Sequence, residues 1–313
     1  MGRAPEREEK MKKIIIVISA LLMSVVIAPV QAADTPLSIA VIDTGTNTAL
    51  FPNAIVGEAC FVSMFTCPNG KASMEGVGAA NLPATTNTTF NHGSQMTSIA
   101  LKANPNAKIV LVRIVGMSSK GSPGLYNLDD VKKGLDWVIA NREKYNVGAV
   151  LLAQGKIFPN CKVPAGMTDQ VATLKAAQVP LIAAAGNDSN RTTTMAPSCL
   201  PDAVSVGATD NPWPGTQGYT YDPKAAPYIA RYSNGATGQV DFYLNARWKA
   251  TMLDGSTKFM VGTSNAAAAL AGYWTANRKA TFDATFAWIL AGTTEAKNQW
   301  VTGRYVYVEQ VIT

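Results

Sequence analysis

The sequence predicts an α/β fold of three layers, a mostly parallel twisted sheet with helices on both faces. Three observations carry that expectation. Short runs that are apolar throughout recur along the chain, stretches of helical period lie between them, and no linker, repeat or low-complexity tract divides the sequence. Strands that are apolar on both faces need cover on both sides, and helices between successive strands supply it.

Taken in order, residues 38–42 make a first strand that delivers Asp43 to its carboxyl end. Residues 108–114 make a second. Between 127 and 144, Leu128, Val131, Leu135, Val138 and Ile139 recur at helical spacing, with Asn127 and Asp130 offering the amino-terminal cap. A strand at Val147–Leu152 and a helix at 168–178 follow, then a strand over 179–184 that ends at Gly186-Asn187. Runs at 203–206 and 240–243 complete the strands. An Ala-rich helix spans 264–277, and a last helix lies near 283–290. Ligands of such sheets sit beyond the carboxyl ends of the strands, so chemistry is expected at the edge that carries Asp43 and Asn187.

Composition narrows the function. The 313 residues are 47% hydrophobic and 15% charged, ample apolar side chain for a folded core. The net charge of +6 is scattered rather than gathered in a basic stripe, which speaks against a nucleic-acid partner. The chain holds one histidine, His92. Most zinc sites are thereby excluded, and neither a metal nor a cofactor is expected.

The amino terminus reads as an address. Met11-Lys12-Lys13 precede an apolar stretch over 14–28, then Pro29 and Val30-Gln31-Ala32. A basic start, a short apolar core and small residues at a cleavage position describe a secretory signal peptide. The run falls short of the roughly 20 residues of a membrane span, so cleavage near Ala32 is expected and no stable membrane anchor. Residues 1–10 precede a second methionine and read as an upstream extension of the signal segment, leaving 33–313 as a single domain. Export to a periplasm or the cell exterior makes two disulfides the default for Cys60, Cys67, Cys161 and Cys199. Three pairings exist; Cys60–Cys67 is the local choice and leaves Cys161–Cys199.

A serine nucleophile needs a base within hydrogen-bond reach, and the base needs a carboxylate to fix its tautomer. Here that base has to be His92, in Asn91-His92-Gly93-Ser94 at the start of an expected helix. Taken singly, each candidate has a plainer reading: His92 as a core or surface histidine, Asp43 and Asn187 as turn residues, Ser264 as a helix cap. Their order says more. Val41-Ile42-Asp43-Thr44-Gly45, Asn91-His92-Gly93-Ser94, Ala183-Ala184-Ala185-Gly186-Asn187 and Gly262-Thr263-Ser264-Asn265-Ala266-Ala267 resemble the four signature segments of the subtilisin-like serine proteases, the subtilases. The order Asp, His, Ser is also that family's. Arg231-Tyr232-Ser233-Asn234 with Val240-Asp241-Phe242 looks like its segment leading to the serine helix. Gly303-Arg304-Tyr305-Val306-Tyr307-Val308 is similar to its closing stretch.

The resemblance implies a secreted serine endopeptidase working through an acyl-enzyme, with 33–313 as its catalytic domain. Ser264 is then the nucleophile, His92 the general base and acid, and Asp43 the orienting carboxylate. Asn187 donates to the oxyanion beside the Ser264 N–H. Two segments matching the family's substrate groove, with Ala153, Gln154 and Gly155 in one and Ala184, Ala185 and Gly186 in the other, are expected to hold an extended peptide by strand addition. Met195 falls at the floor of the main specificity pocket and points to small or medium apolar P1 residues. Protein or peptide substrates are the implied partners.

The chain also departs from the pattern. About ten residues separate Ala33 from Asp43, so it reads as a divergent member without a pro-segment, with room for a folding helper or inhibitor acting in trans. The stretch from His92 to Lys108 lacks the calcium loop of many relatives, and no calcium is expected there. Asn265 stands where the family usually has Met, Ala268-Ala269 where it has Pro-His, and Gln95 and Ser98 where it has His and Gly. A catalytically weak relative that binds extended peptides or a protein partner is the alternative. An α/β-hydrolase esterase is excluded, because Gly-x-Ser-x-Gly is missing and the triad order differs. Gly76-Val77-Gly78 lacks the third glycine of a dinucleotide site and opens no expected helix.

Overall fold

The computed structural model describes residues 35–116, 127–210 and 227–310. The signal segment expected at 1–32 lies outside them. In chain order the strands are β1 (Ser38–Asp43), β2 (Ile55–Phe61), β3 (Ser73–Glu75), β4 (Lys108–Arg113), β5 (Val147–Leu152), β6 (Leu181–Ala184), β7 (Ala203–Thr209), β8 (Phe242–Asn245), β9 (Trp248–Thr251), β10 (Thr257–Met260), β11 (Thr294–Lys297) and β12 (Thr302–Tyr305). The helices are α1 (Asn91–Ala103), α2 (Leu128–Asn141), α3 (Met167–Ala176), α4 (Thr263–Ala276) and α5 (Phe282–Ala291). Among the described residues, ten strands form one sheet in the order β11-β12-β8-β7-β6-β5-β1-β4-β2-β3, and β9 pairs with β10 in a separate hairpin. All neighbours in the large sheet run parallel except the two edge pairs, β2 with β3 and β11 with β12.

The apolar strand runs have a direct cause. Ile39 and Val41 of β1 face a core shared with α1 and α4, while Ala40 and Ile42 face a second core shared with α2 and α3. The same division separates Ile109 and Leu111 from Val110 and Val112 in β4. A strand covered on both faces cannot alternate apolar with polar, and these do not. The three-layer architecture is the one the sequence predicts. Helix α4 is alanine-rich because it is enclosed on all sides, with Ala266–Ala271 fully buried. Helix α1 crosses it so closely that a Cβ on Gly272 would meet the Ala100 carbonyl and the Ala103 side chain.

Several boundaries differ from expectation for local reasons. At the start of α2, Asn127 alone is the cap, accepting the Asp130 N–H at 2.8 Å. The Asp130 carboxylate instead accepts the N–H and hydroxyl of Ser63, both at 2.9 Å. Strand β8 begins at Phe242 rather than 240, because the Asp241 carboxylate accepts the Ser205 N–H of β7 at 2.7 Å. Strand β2 has no counterpart in the sequence reading, since Gly57-Glu58 interrupts its apolar run. Glu58 is buried because its carboxylate accepts the N–H groups of Gly78 and Ala80, both at 3.0 Å. Short β3, β9, β10, β11 and β12 were equally silent in the sequence. Cys60 bonds to Cys67 and Cys161 to Cys199, the local pairing and its remainder.

Candidate active site

Three elements meet at the carboxyl edge of the sheet. Asp43 is the last residue of β1, His92 the second of α1, and Ser264 the second of α4. Thr44 joins the first two elements. Its hydroxyl donates to the Phe90 carbonyl at 2.9 Å and accepts the Gly93 N–H at 2.9 Å. Gly93 is required by this approach, because a Cβ there would run into the Gly45 carbonyl. The amino terminus of α1 is thus pinned to the end of β1, with His92 beside Asp43.

Asp43 is 1% exposed. His92 Nδ1 lies 2.9 Å from Asp43 Oδ1 and 2.8 Å from Oδ2. Oδ1 also accepts the Thr44 N–H at 2.7 Å and the Gln154 side-chain N–H at 3.2 Å. Burial works against the charged imidazolium, but the Asp43 charge and hydrogen bond outweigh it, and the His92 pKa lies above the ordinary 6.5. Ser264 Oγ donates to the Ala153 carbonyl at 3.3 Å and makes no hydrogen bond to His92.

Asn187 lies exposed at the end of the β6 segment, with one end of its amide anchored. Its Oδ1 accepts the Thr263 N–H and hydroxyl, both at 3.0 Å, which fixes the amide at the start of α4. Gly262, just before that helix, has φ +150°, and a Cβ there would lie 3.6 Å from Asn187 Nδ2. Gly186 has φ +103° and packs on Asn234, whose buried amide accepts the N–H groups of Asp188 and Asn190 at 2.9 and 3.0 Å. The Ser264 N–H sits in the first turn of α4, where no intrahelical acceptor exists, and the helix dipole there favours negative charge.

The two expected groove segments flank this point in different ways. Ala153, Gln154 and Gly155 follow β5. Met195 packs its thioether against Gly155, and its N–H bonds to the Ala185 carbonyl at 2.9 Å. The Ala185 N–H bonds to Val206 and the Gly186 N–H to the Thr263 hydroxyl. Those two donors are committed inside the protein, and the Ala184 and Ala185 side chains are fully buried. A cavity of about 770 Å³ is lined by Phe158, Thr194, the Cys161–Cys199 bridge, Leu200 and Asp241. None of Asp43, His92 or Ser264 reaches it.

Sequence reasoning missed Thr44, Thr263 and Asn234, although all three stand inside the quoted motifs. It also left the divergent positions without a role. Gln95 Nε2 contacts Met252 Sδ at 3.6 Å, Ser98 Oγ accepts the Thr251 N–H at 3.0 Å, and Asn265 Nδ2 donates to the Ala246 carbonyl at 2.9 Å. These substitutions tie α1 and α4 to one stretch of chain, 246–252.

A hydroxyl, an imidazole held by a carboxylate and an anchored amide thus gather where the carboxyl edge of the sheet meets the amino termini of α1 and α4. Comparison supplies the class. The model of the subtilase family matches residues 34–288, and the chain belongs to that family of serine proteases. Its fold is similar to that of a cold-adapted subtilisin-like serine proteinase (20% identity, 88% of this chain and 89% of that one, TM-score 0.62). A psychrophilic protease is similar too, at 18% identity over 85% and 87% of the two chains, TM-score 0.65. So is the prenylagaramide maturation protease PagA, at 16% identity over 84% of each, TM-score 0.59. Proteins or peptides are accordingly the substrate class.

Proposed function

We propose that the chain is an exported serine endopeptidase with Ser264 as nucleophile, His92 as base and Asp43 as the carboxylate that orients it. The observation that carries this reading is the double contact of His92 Nδ1 with the Asp43 carboxylate. It holds the Nδ1 hydrogen and leaves Nε2 as the basic atom. Ser264 Oγ attacks the scissile carbonyl carbon while its proton passes to Nε2. The resulting oxyanion accepts hydrogen bonds from Asn187 Nδ2 and the Ser264 N–H. Nε2 then protonates the leaving amine as the C–N bond breaks. Water, deprotonated by the same nitrogen, attacks the acyl ester and restores Ser264.

Residues 1–32 act as the signal segment and 33–313 as the catalytic domain. The two disulfides support an oxidising destination. Labelling the mature protein with a fluorophosphonate tests the triad. One adduct on Ser264, absent in Ser264→Ala, is expected; a folded protein that takes no label overturns the reading. In that case the second reading, peptide binding without turnover, gains from the Ser264 hydroxyl being engaged by Ala153 rather than by His92.

Met195 stands between the two groove segments and supports small or medium apolar P1 side chains. Cleavage of a peptide library is expected to show that preference. Selection of Lys, Arg or Glu at P1 removes Met195 from the pocket floor.

A further inference from the structure

Gln154 holds a place in the site that the proposed reaction does not use. It follows β5 on the segment expected to meet substrate through its backbone, yet its side chain reaches the buried Asp43 carboxylate and His92. Nε2 stands 3.2 Å from Asp43 Oδ1 and 3.0 Å from His92 Nδ1. Nδ1 carries one hydrogen, and the Asp43 oxygens already hold it at 2.9 and 2.8 Å. The amide N–H therefore goes to Oδ1, beside the Thr44 N–H at 2.7 Å. Of the donors to this carboxylate, Thr44 and His92 belong to the elements that hold the pair together. Among these described donors, Gln154 is the one that comes from the segment after β5.

We infer that Gln154 is a positioning residue for His92, which fixes the Asp43 carboxylate by donating to Oδ1 and moderates the basicity that Asp43 lends to the imidazole. This rests on the reading of His92 as general base. A hydrogen bond to an anion stabilises it and weakens its hold on a neighbouring cation. Without that donor, His92 keeps its proton to higher pH and less free base is present at neutrality. Among the described residues no other charge competes for this role. Asp43 of β1 is the charged group acting on His92. Thr263, Ser264 and Asn265 at the facing end of α4 are uncharged, and Lys102 meets Lys249 of β9 at the far end of α1.

The single histidine makes the test direct, because every imidazole resonance of an isotopically labelled sample belongs to His92. Gln154→Leu is expected to raise the His92 pKa by about 0.5–1 unit, and Gln154→Glu, which adds a negative charge, by more. The acid limb of kcat/KM moves with it, so the loss of activity is larger at acid than at alkaline pH. An unchanged or lowered titration in Gln154→Leu overturns the inference. The two readings fail separately. Labelling that survives Ser264→Ala removes the triad and leaves the titration to judge Gln154. Normal Ser264 labelling with an unmoved titration removes only the role of Gln154.

Discussion

Replacing His92 by alanine is expected to lower kcat on a peptide substrate by about 10⁶-fold, the size that loss of base or nucleophile has in this family. The chain has no second histidine to take over, so little activity can return through a neighbour. Ser264 Oγ loses the acceptor for its proton, and the leaving amine loses its donor. The effect belongs to kcat, because His92 sits with Asp43 rather than on the groove segments. In the parent protein, kcat/KM should fall as pH drops through the pKa of His92. Since the Asp43 charge and hydrogen bond hold that pKa above 6.5, the fall begins at higher pH than an unperturbed imidazole would give. Steady-state kinetics against pH checks both statements. A His92→Ala protein within tenfold of the parent would sink the assignment.

Asn187→Ala is expected to lower kcat by about 10²–10³-fold with KM little changed, a magnitude characteristic of this family's oxyanion donor. The amide does two separable things. Oδ1 accepts from Thr263 at the start of α4, a capping contact whose loss costs about 1 kcal/mol of stability. In the proposed reaction, Nδ2 donates to the negative charge that forms on the substrate oxygen. The first effect is read in Tm and the second in kcat. A variant that loses Tm alone would show that Asn187 holds the helix and takes no part in the reaction.

The central strands and the helices covering them were legible because burial on both faces leaves an unbroken apolar run. Edge strands were not. Strand β2 carries Glu58 in its middle, and nothing local announces that two N–H groups from Gly78 and Ala80 satisfy that carboxylate. At the site, motif order picks out Asp43, His92, Asn187 and Ser264 as candidates, and sequence proximity picks out the cysteine pairing that the structure shows. The connections were not legible. Thr44 binding both Phe90 and Gly93, Thr263 holding Asn187, and Gln154 reaching Asp43 are contacts across 46 to 111 residues of sequence. Such partners follow from where the fold places the loops, which no short motif encodes.

The chain after β5 and the chain after β6 are joined twice, by paired hydrogen bonds between Lys156 and Ala196 at 3.2 and 2.8 Å and by the Cys161–Cys199 bond beyond them. Gly155 and Met195 lie beside the first of these joints. If these segments form the proposed peptide site, chain joined in this way has few conformations left to lose when a peptide arrives. The ordering cost falls at folding, when the disulfide closes, and not at each encounter with substrate. Rigidity here is an attribute of binding as much as of stability: opening the cross-link should leave the chemistry near Ser264 in place while loosening the fit of every peptide that enters.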